Sequence, residues 1–575
     1  MRIEPFLDAL AREAIVDALD TEAPAILRPT QNPAHGDYQV NGVMGLAKRL
    51  KKNPRELAGG VAERLAAHEA IASAEVAGPG FVNLRLDDAW LAGQLDAALA
   101  DRERDGVDPV AAPQTVVVDF SSPNIAKQMH VGHLRSTIIG AALVQLLRFV
   151  GHEVIGDNHL GDWGTQFGLL IVGMREFGDE AALEADPVVE LERVYKAASA
   201  KAKDDEEFAA AARAELAKLQ AGDPENLAKW ERFVEVSKTG LNAIYQRLGV
   251  QFDEWLGESA YNDRLAGVVE ELIEKKIARE DDGAIVVWFN ELEGVEGKLA
   301  KQKVPYIIRK RDGAFLYSTS DIATVQHRRE TWGVDRALYV VDKRQGQHFT
   351  QLFEVARQLG EEMKLEHIGF GTVLGEDGTA LKTRDGKAPL LVDLLDEAEA
   401  RAEAKMIEEV GTDPELARSL ASSVGIGAVK YADLVQNRTS DYTFSWDKLI
   451  AFNGHAGPYI QYQHARCASV LREAGVDRDA LSGPIVLEED AEKALARELA
   501  KLPDVVHAAA ETAQPHYVAQ HLYELASLFS GFWTNCPVLK AEEPLRSSRL
   551  ALADLTRRQL KRGLNLLGID APERM

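Results

Sequence analysis

Two imidazoles flanking a valine and a glycine, His130-Val131-Gly132-His133, are the residues of this sequence best suited to holding phosphate. Histidines on one side of a turn can hydrogen-bond phosphate oxygens, and Gly132 leaves room for a nucleotide ring to lie against the backbone. The tetrapeptide follows a β-branched apolar run, TVVVDF (115–120). It opens a segment in which Leu134, Ile138, Ala142, Leu146 and Val150 recur every four residues. A helix N-terminus offers free N–H groups and the positive end of its dipole, so it attracts anions. Alone, such a tetrapeptide recurs by chance; between a strand and an amphipathic helix it points to a nucleotide. The plain alternative is two incidental surface histidines. Other chemistries lack their residues. No Ser-His-Asp or Cys-His arrangement is evident, and neither HExxH nor CxxC occurs.

The elements that must position this motif follow from hydrophobic periodicity. TVVVDF predicts a buried parallel strand. The loop SSPNIAKQM comes next, then a helix stopped by Gly151. Strand, loop and helix in that order open a doubly wound nucleotide fold. Residues 180–300 are charged and helix-rich and read as an insertion. AIVVWF (284–289) and IIRKRDGAFLYSTSDIAT (307–324) have strand-like patterns. RALYVVD (336–342) predicts another buried strand, followed by a helical HFTQLFEVARQLG, and HIGFGTVL leads into the turn EDGTALKTRDGK. From about 390 onward the pattern is almost wholly helical. Near the N-terminus Leu7, Leu10, Ala14 and Ala18 share a helical face, two helices break near Asn53-Pro54, and VAGPGFVNLRL reads as a turn into a strand.

The expected architecture is therefore α/β. It comprises a small N-terminal α/β domain (1–112) and a Rossmann-like doubly wound parallel-sheet domain (113–389) with its helical insertion. A helical connector (390–451) and an all-α C-terminal bundle (452–575) complete it.

The chain has 575 residues, 46% of them hydrophobic, enough for several cores. No run of 18 apolar residues occurs, which argues against a membrane span. The N-terminus lacks the apolar block of a signal peptide. The two cysteines, Cys467 and Cys536, make neither a disulfide framework nor a zinc cluster and fit a reducing cytoplasm. The net charge of −25 is awkward for a polyanion binder, although a basic stripe can sit on an acidic body. Two stretches could supply one. KQKVPYIIRKR (301–311) has five bases and no acid, and 546–562 has six bases and one acid. Solvated faces are the alternative.

SSPNIAKQMHVGHLRSTIIG resembles the signature of class I aminoacyl-tRNA synthetases, specifically the arginyl family, with Ser122, Pro123 and Asn124 ahead of His133. The likeness continues through HLGDWGTQFG (159–168), YSTSDIA (317–323), VVDKRQGQHFTQLF (340–353), FNGHAGPYIQYQHAR (452–466) and the C-terminal PLRSSRLALADLTRRQLKRGLNLLGIDAPERM. It implies ATP-dependent activation of L-arginine and transfer to the 3′-terminal adenosine of tRNA(Arg). Bound tRNA is usually needed for activation. It further implies Mg²⁺ on the phosphates, and a monomer.

The resemblance also assigns residues. ATP would be met by His130, Gly132, His133 and Lys382, and arginine by Ser122, Pro123, Asn124, His133, Tyr317, Asp321 and Gln345. A guanidinium offers forked donors that a carboxylate such as Asp321 can engage bidentately. The alternative for Asp321 is a helix N-cap. The family's mobile lysine loop is degenerate here, ALKTRDGK with Lys382, Thr383, Arg384 and Lys387. The resemblance accordingly divides phosphate clamping between Lys382 and Lys127, which stands just ahead of the histidines; an exposed loop lysine is the alternative. The N-terminal domain resembles one that reads the tRNA elbow, with Phe81 and Asn83 as candidates. The C-terminal bundle resembles an anticodon-binding domain, in which Arg549, Arg557 and Arg558 would meet phosphates. Tyr459, Tyr462 and Trp533 could stack bases there or form bundle core. Three readings remain open beside this one: a class I synthetase of another specificity, another HxGH nucleotidyltransferase, and a non-catalytic tRNA-binding relative.

Overall fold

The computed structural model describes residues 1–30, 32–382 and 388–575, which fall into two compact units. One comprises Val110–Ala404 with Gly425–Ile450, and the other Met1–Pro109, Lys405–Val424 and Ala451–Met575.

In the first unit β1 (Thr115–Asp119) leads into α1 (Val131–Phe149) and returns as β2 (Glu153–Asp157). After a helical insertion, β3 (Tyr306–Arg309) belongs to a separate three-stranded antiparallel sheet. Then α2 (Tyr317–Trp332), β4 (Arg336–Tyr339), α3 (Gly346–Leu359) and β5 (Lys364–His367) follow. The main sheet is parallel, in the order β5-β4-β1-β2, with Val117 opposite both Ala337 and Ile155. Val116, Val117 and Val118 are fully buried, as a strand covered on both faces requires. The chain runs outward from β1 to β2, then crosses back to β4 on the other side of β1. That reversal opens a crevice beyond the carboxyl ends of β1 and β4, where this architecture binds ligands.

α1 lies close on the sheet because Gly140 faces the Phe120 ring, which itself stacks on Phe252 at 4.5 Å. Buried Arg135 on the same helix meets Asp433 at 2.9 Å and donates to the Ser440 carbonyl at 3.1 Å. Its guanidinium lies over the Tyr442 ring.

The strand-like reading of 307–324 is corrected beyond Leu316, because Tyr317–Trp332 is α-helix. The serines and threonines that suggest a strand satisfy their hydroxyls on carbonyls. Ser318 donates to Ile307 O at 2.6 Å, and Thr324 to Ser320 O at 2.8 Å. Tertiary packing thereby overrides intrinsic preference.

The second unit contains an antiparallel sheet whose strands run Leu27–Pro29, Tyr38–Val40, Phe81–Leu86, Ile71–Ala77. Helix Ile3–Leu19 buries Ile3, Leu7, Ala11, Ala14 and Ile15, a face rotated from the Leu7/Leu10/Ala14/Ala18 stripe. Five helices between Gly457 and Leu566 make the C-terminal bundle. Its last helix, Leu545–Leu566, corrects the expected basic face. Arg549 is buried and donates to Glu492 at 2.6 Å, and Arg557 donates to Asp554 at 2.8 Å. Arg558 is buried on Asp105 at 2.8 Å and on the Leu99 carbonyl at 2.7 Å. Arg562 also meets Asp105. These charges are spent inside the unit, because a buried arginine requires a partner.

Candidate active site

The crevice at the β1/β4 reversal is a cleft of about 380 Å³. Ser122, Asn124, Gly132, His133, Tyr317, Asp321 and Gln345, spread over 224 residues of chain, all line it. Four carboxylates also line it, from Asp119, Glu258, Asp321 and Asp342, and among the described lining residues there is no lysine or arginine. Such a wall attracts a cation.

The loop after β1 reaches the cleft through an unusual backbone. Ser121, Ser122 and Ala126 have φ of 71°, 48° and 63°, the left-handed region that costs a residue bearing a Cβ roughly 1 kcal/mol or more each. Neighbouring groups hold it there. Ser121 N–H donates to Ser136 Oγ at 2.8 Å, Ser122 N–H to Asn158 Oδ1 at 3.1 Å, and Ser122 Oγ to Asp119 Oδ1 at 3.1 Å. Buried Pro123 accepts from Gly161 N–H at 3.2 Å. Gly161 lies so close to Asn124 that a Cβ there would meet its side-chain oxygen.

At the start of α1 the two histidines close on each other. Gly132 N–H donates to His130 Nδ1 at 3.0 Å, and His130 N–H donates to His133 Nδ1 at 3.1 Å. Val131 N–H is engaged by the Pro389 carbonyl at 3.0 Å and His133 N–H by the His130 carbonyl at 2.8 Å. The expectation of free helix amides for an anion is thus corrected, since the first turn has satisfied its own donors. What it offers instead is Nε2–H, because a ring whose Nδ1 accepts carries its proton on Nε2. Burial lowers both histidines, His133 to about 4, and the positive charge of Lys127 adds to the effect on each.

Lys127 is exposed, with its ammonium 5.5 Å from the centre of the Tyr195 ring. Lys382 is also exposed, and neither lysine lines the cleft. Thr383, Arg384 and Lys387 lie outside the described residues.

Asp321 sits in the second turn of α2, whose N-cap is Leu316, so it is not a cap. Its Oδ2 accepts from His348 Nε2 at 2.6 Å, and His348 Nδ1 is 3.3 Å from the Tyr306 hydroxyl. Tyr317 is exposed and packs edge-on against His348 at 4.9 Å. Gln345 caps α3.

The sequence reading missed Asp119, Glu258 and His348. Asp119 lay inside the predicted strand TVVVDF with no site role assigned. Glu258 lies in a short helical turn (Glu258–Arg264) whose lack of pattern hides it. His348 stood within a quoted motif as one helical residue among others. Beneath the cleft, fully buried Arg328 donates to Asp119 and Asp157, both at 2.6 Å.

Comparison with known proteins agrees in all parts of the chain. The family described as tRNA synthetases class I (R), catalytic domain, matches residues 94–446. The Arginyl tRNA synthetase N terminal domain matches 6–86 and the DALR anticodon binding domain 460–575. The arginine–tRNA ligase of Chromobacterium violaceum is 46% identical with both chains covered completely. That of Vibrio vulnificus is 45% identical over 99% of this chain and 100% of its own. Among solved structures, the Plasmodium falciparum arginyl-tRNA synthetase superposes with a TM-score of 0.85 at 27% identity, covering 100% of this chain and 99% of its own. The Thermus thermophilus enzyme superposes at 0.80 and 25% identity, with both chains fully covered. A cleft lined by His133, Asn124, Gln345 and four carboxylates, on a chain with these relatives throughout, places the protein in the arginyl-tRNA synthetase family of class I.

Proposed function

We propose that this chain is an arginine–tRNA ligase, which joins arginine to ATP as arginyl-adenylate with release of pyrophosphate and then passes arginine to the 3′-terminal adenosine of its tRNA. The observation that carries the reading is the mixed chemistry of the cleft, with His133 beside four carboxylates and, among the described lining residues, no lysine or arginine.

In this reading the arginine carboxylate attacks the α-phosphorus in line, so positioning and charge neutralisation supply the catalysis. His130 and His133 donate from Nε2 to phosphate oxygens, and Gly132 gives the nucleotide room. Lys127 and Lys382 contribute positive charge as pyrophosphate leaves. Ser122, Asn124 and Gln345 hold the amino-acid head group, Pro123 fixes the loop that carries them, and Asp321 with Tyr317 takes the guanidinium. A polar pocket of this kind rejects an amino acid that leaves its acceptors unpaired.

Among the described residues the one cluster of possible metal ligands is Asp119, Asp157 and His159, and the Arg328 guanidinium already bridges its carboxylates. These residues do not fit a protein-held ion, so Mg²⁺ is proposed only as the counter-ion of the ATP phosphates. The C-terminal bundle would take the anticodon arm, with Tyr459, Tyr462 and Trp533 partly exposed. The N-terminal domain would take the elbow. There Phe81 is half-buried, and Asn83 accepts from Gln39 at 2.7 Å. A monomer in the cytoplasm is proposed with it, supported by two free cysteines, both buried.

The test is amino-acid-dependent exchange of pyrophosphate into ATP, with and without tRNA. Exchange with arginine and tRNA, and far less with lysine, is expected. No exchange with arginine and tRNA present overturns the reading.

A further inference from the structure

Asp321 is an acceptor that something else already grips. Its Oδ2 takes a 2.6 Å hydrogen bond from His348 on α3, an element separate from its own helix. The other imidazole nitrogen meets the Tyr306 hydroxyl on β3, and Tyr306 is buried. The three residues come from three elements and form one chain that ends in the cleft.

We propose that Tyr306 and His348 are positioning residues for amino-acid specificity, a relay that fixes the Asp321 carboxylate with one oxygen held and the other presented to the substrate cation. The inference rests on the function proposed above.

The direction of the relay follows from its groups. Burial pushes the Tyr306 phenol well above its ordinary value, reinforced by the charge of Asp321, so it remains an O–H donor. A phenol donating to Nδ1 leaves the imidazole proton on Nε2, where it donates to Asp321. A neutral ring in this place orients the carboxylate without cancelling its charge. A cationic ring would compete with the guanidinium for the same oxygens. The ring has a second contact, edge-on against Tyr317 at 4.9 Å, so it braces both residues proposed to meet the guanidinium.

The experiment compares wild type, His348→Ala, His348→Gln and Tyr306→Phe in arginine-dependent pyrophosphate exchange with tRNA present. It measures KM for arginine and for ATP, the arginine-over-lysine ratio of kcat/KM, tRNA affinity and Tm. Loss of one hydrogen bond to a charged acceptor corresponds to ~10–100-fold in kcat/KM for arginine in His348→Ala. A smaller loss is expected in Tyr306→Phe, which keeps the ring and serves if the alanine variant does not fold. His348→Gln retains a donor and recovers part of the loss. KM for ATP and tRNA affinity stay at wild-type values, and the arginine-over-lysine ratio falls. An unchanged arginine KM in folded His348→Ala or in both milder variants overturns the proposal, as does a loss shared equally by arginine and ATP. Absence of exchange in wild type would instead overturn the underlying function.

Discussion

His130 and His133 hold Nδ1 toward backbone amides, so their state is written into the turn. His133 is lowered to about 4, chiefly by burial and then by the nearby His130 charge, whereas an unfolded chain takes its proton near 6.5. The unfolded state therefore binds more protons between those values, and stability falls as pH drops through that window. His133→Asn, which keeps an acceptor for the backbone amide, should show a smaller fall in Tm from about pH 7 to 4.5 than wild type. Glu258 moves the other way. Burial raises it to about 7, His159 opposes, and the charges of Asp321 and Asp162 add to the rise. It gains its negative charge in the cleft as pH rises, so KM for arginine should fall between about pH 6 and 8, and Glu258→Gln should flatten that profile. A steady-state pH series on both proteins decides it, and an equally steep profile in the variant would remove Glu258 from substrate binding. At this scale the sequence yields residue types that suit phosphate and guanidinium. It does not yield their wiring. Nothing in the spacing of His348 and Tyr306, 42 residues apart, announces that they meet.

The strongest elements were the legible ones. TVVVDF and the four-residue repeat from Leu134 to Val150 predict β1 and α1, and both form with ends within a few residues of the pattern. The helix α2 was partly lost, because Ser318, Thr319 and Thr324 favour strands until their hydroxyls find carbonyls. The means by which α1 is fixed was not legible at all. Arg135, charged and inside the amphipathic repeat, is buried and pairs with Asp433, 298 positions away. Asp433 is raised by burial, with Arg135 and the Tyr442 hydroxyl opposing. Arg135→Met would leave that carboxylate buried without its cation and should destabilise the unit by about 3–5 kcal/mol. Thermal unfolding measures this, and the double variant Arg135→Met/Asp433→Leu should recover much of it. A second element-scale constraint is steric. A Cβ at residue 140 would run into the Phe120 ring, so Gly140→Ala should push α1 off β1 and lower both Tm and arginine-dependent exchange.

Across the whole molecule the acidic balance of −25 leaves polyanion binding to local features. The sequence nominates 546–562 because six bases cluster there, but composition does not reveal that Arg549, Arg557, Arg558 and Arg562 are consumed by Glu492, Asp554 and Asp105. Their replacement should accordingly register as lost stability. Arg558→Gln is expected to lower Tm clearly while the dependence of tRNA affinity on salt keeps its slope, since a lost phosphate contact would change that slope by about 1. Residues 1–109 and the C-terminal bundle share one compact unit although the rest of the chain separates them. Periodicity places each in its class but says nothing of their association.

That association has a consequence for synthesis. The Asp105 carboxylate is paired with arginines that lie 453 and 457 positions later. As the chain leaves the ribosome, Asp105 therefore stays without these partners until more than 450 further residues have been made. The nucleotide-binding unit has its sheet, its cleft and most of its helices made in the interval. Helix Leu545–Leu566 is made after that sheet and carries both arginines, so a chain stalled before Leu545 should have a formed catalytic sheet and an unpaired Asp105.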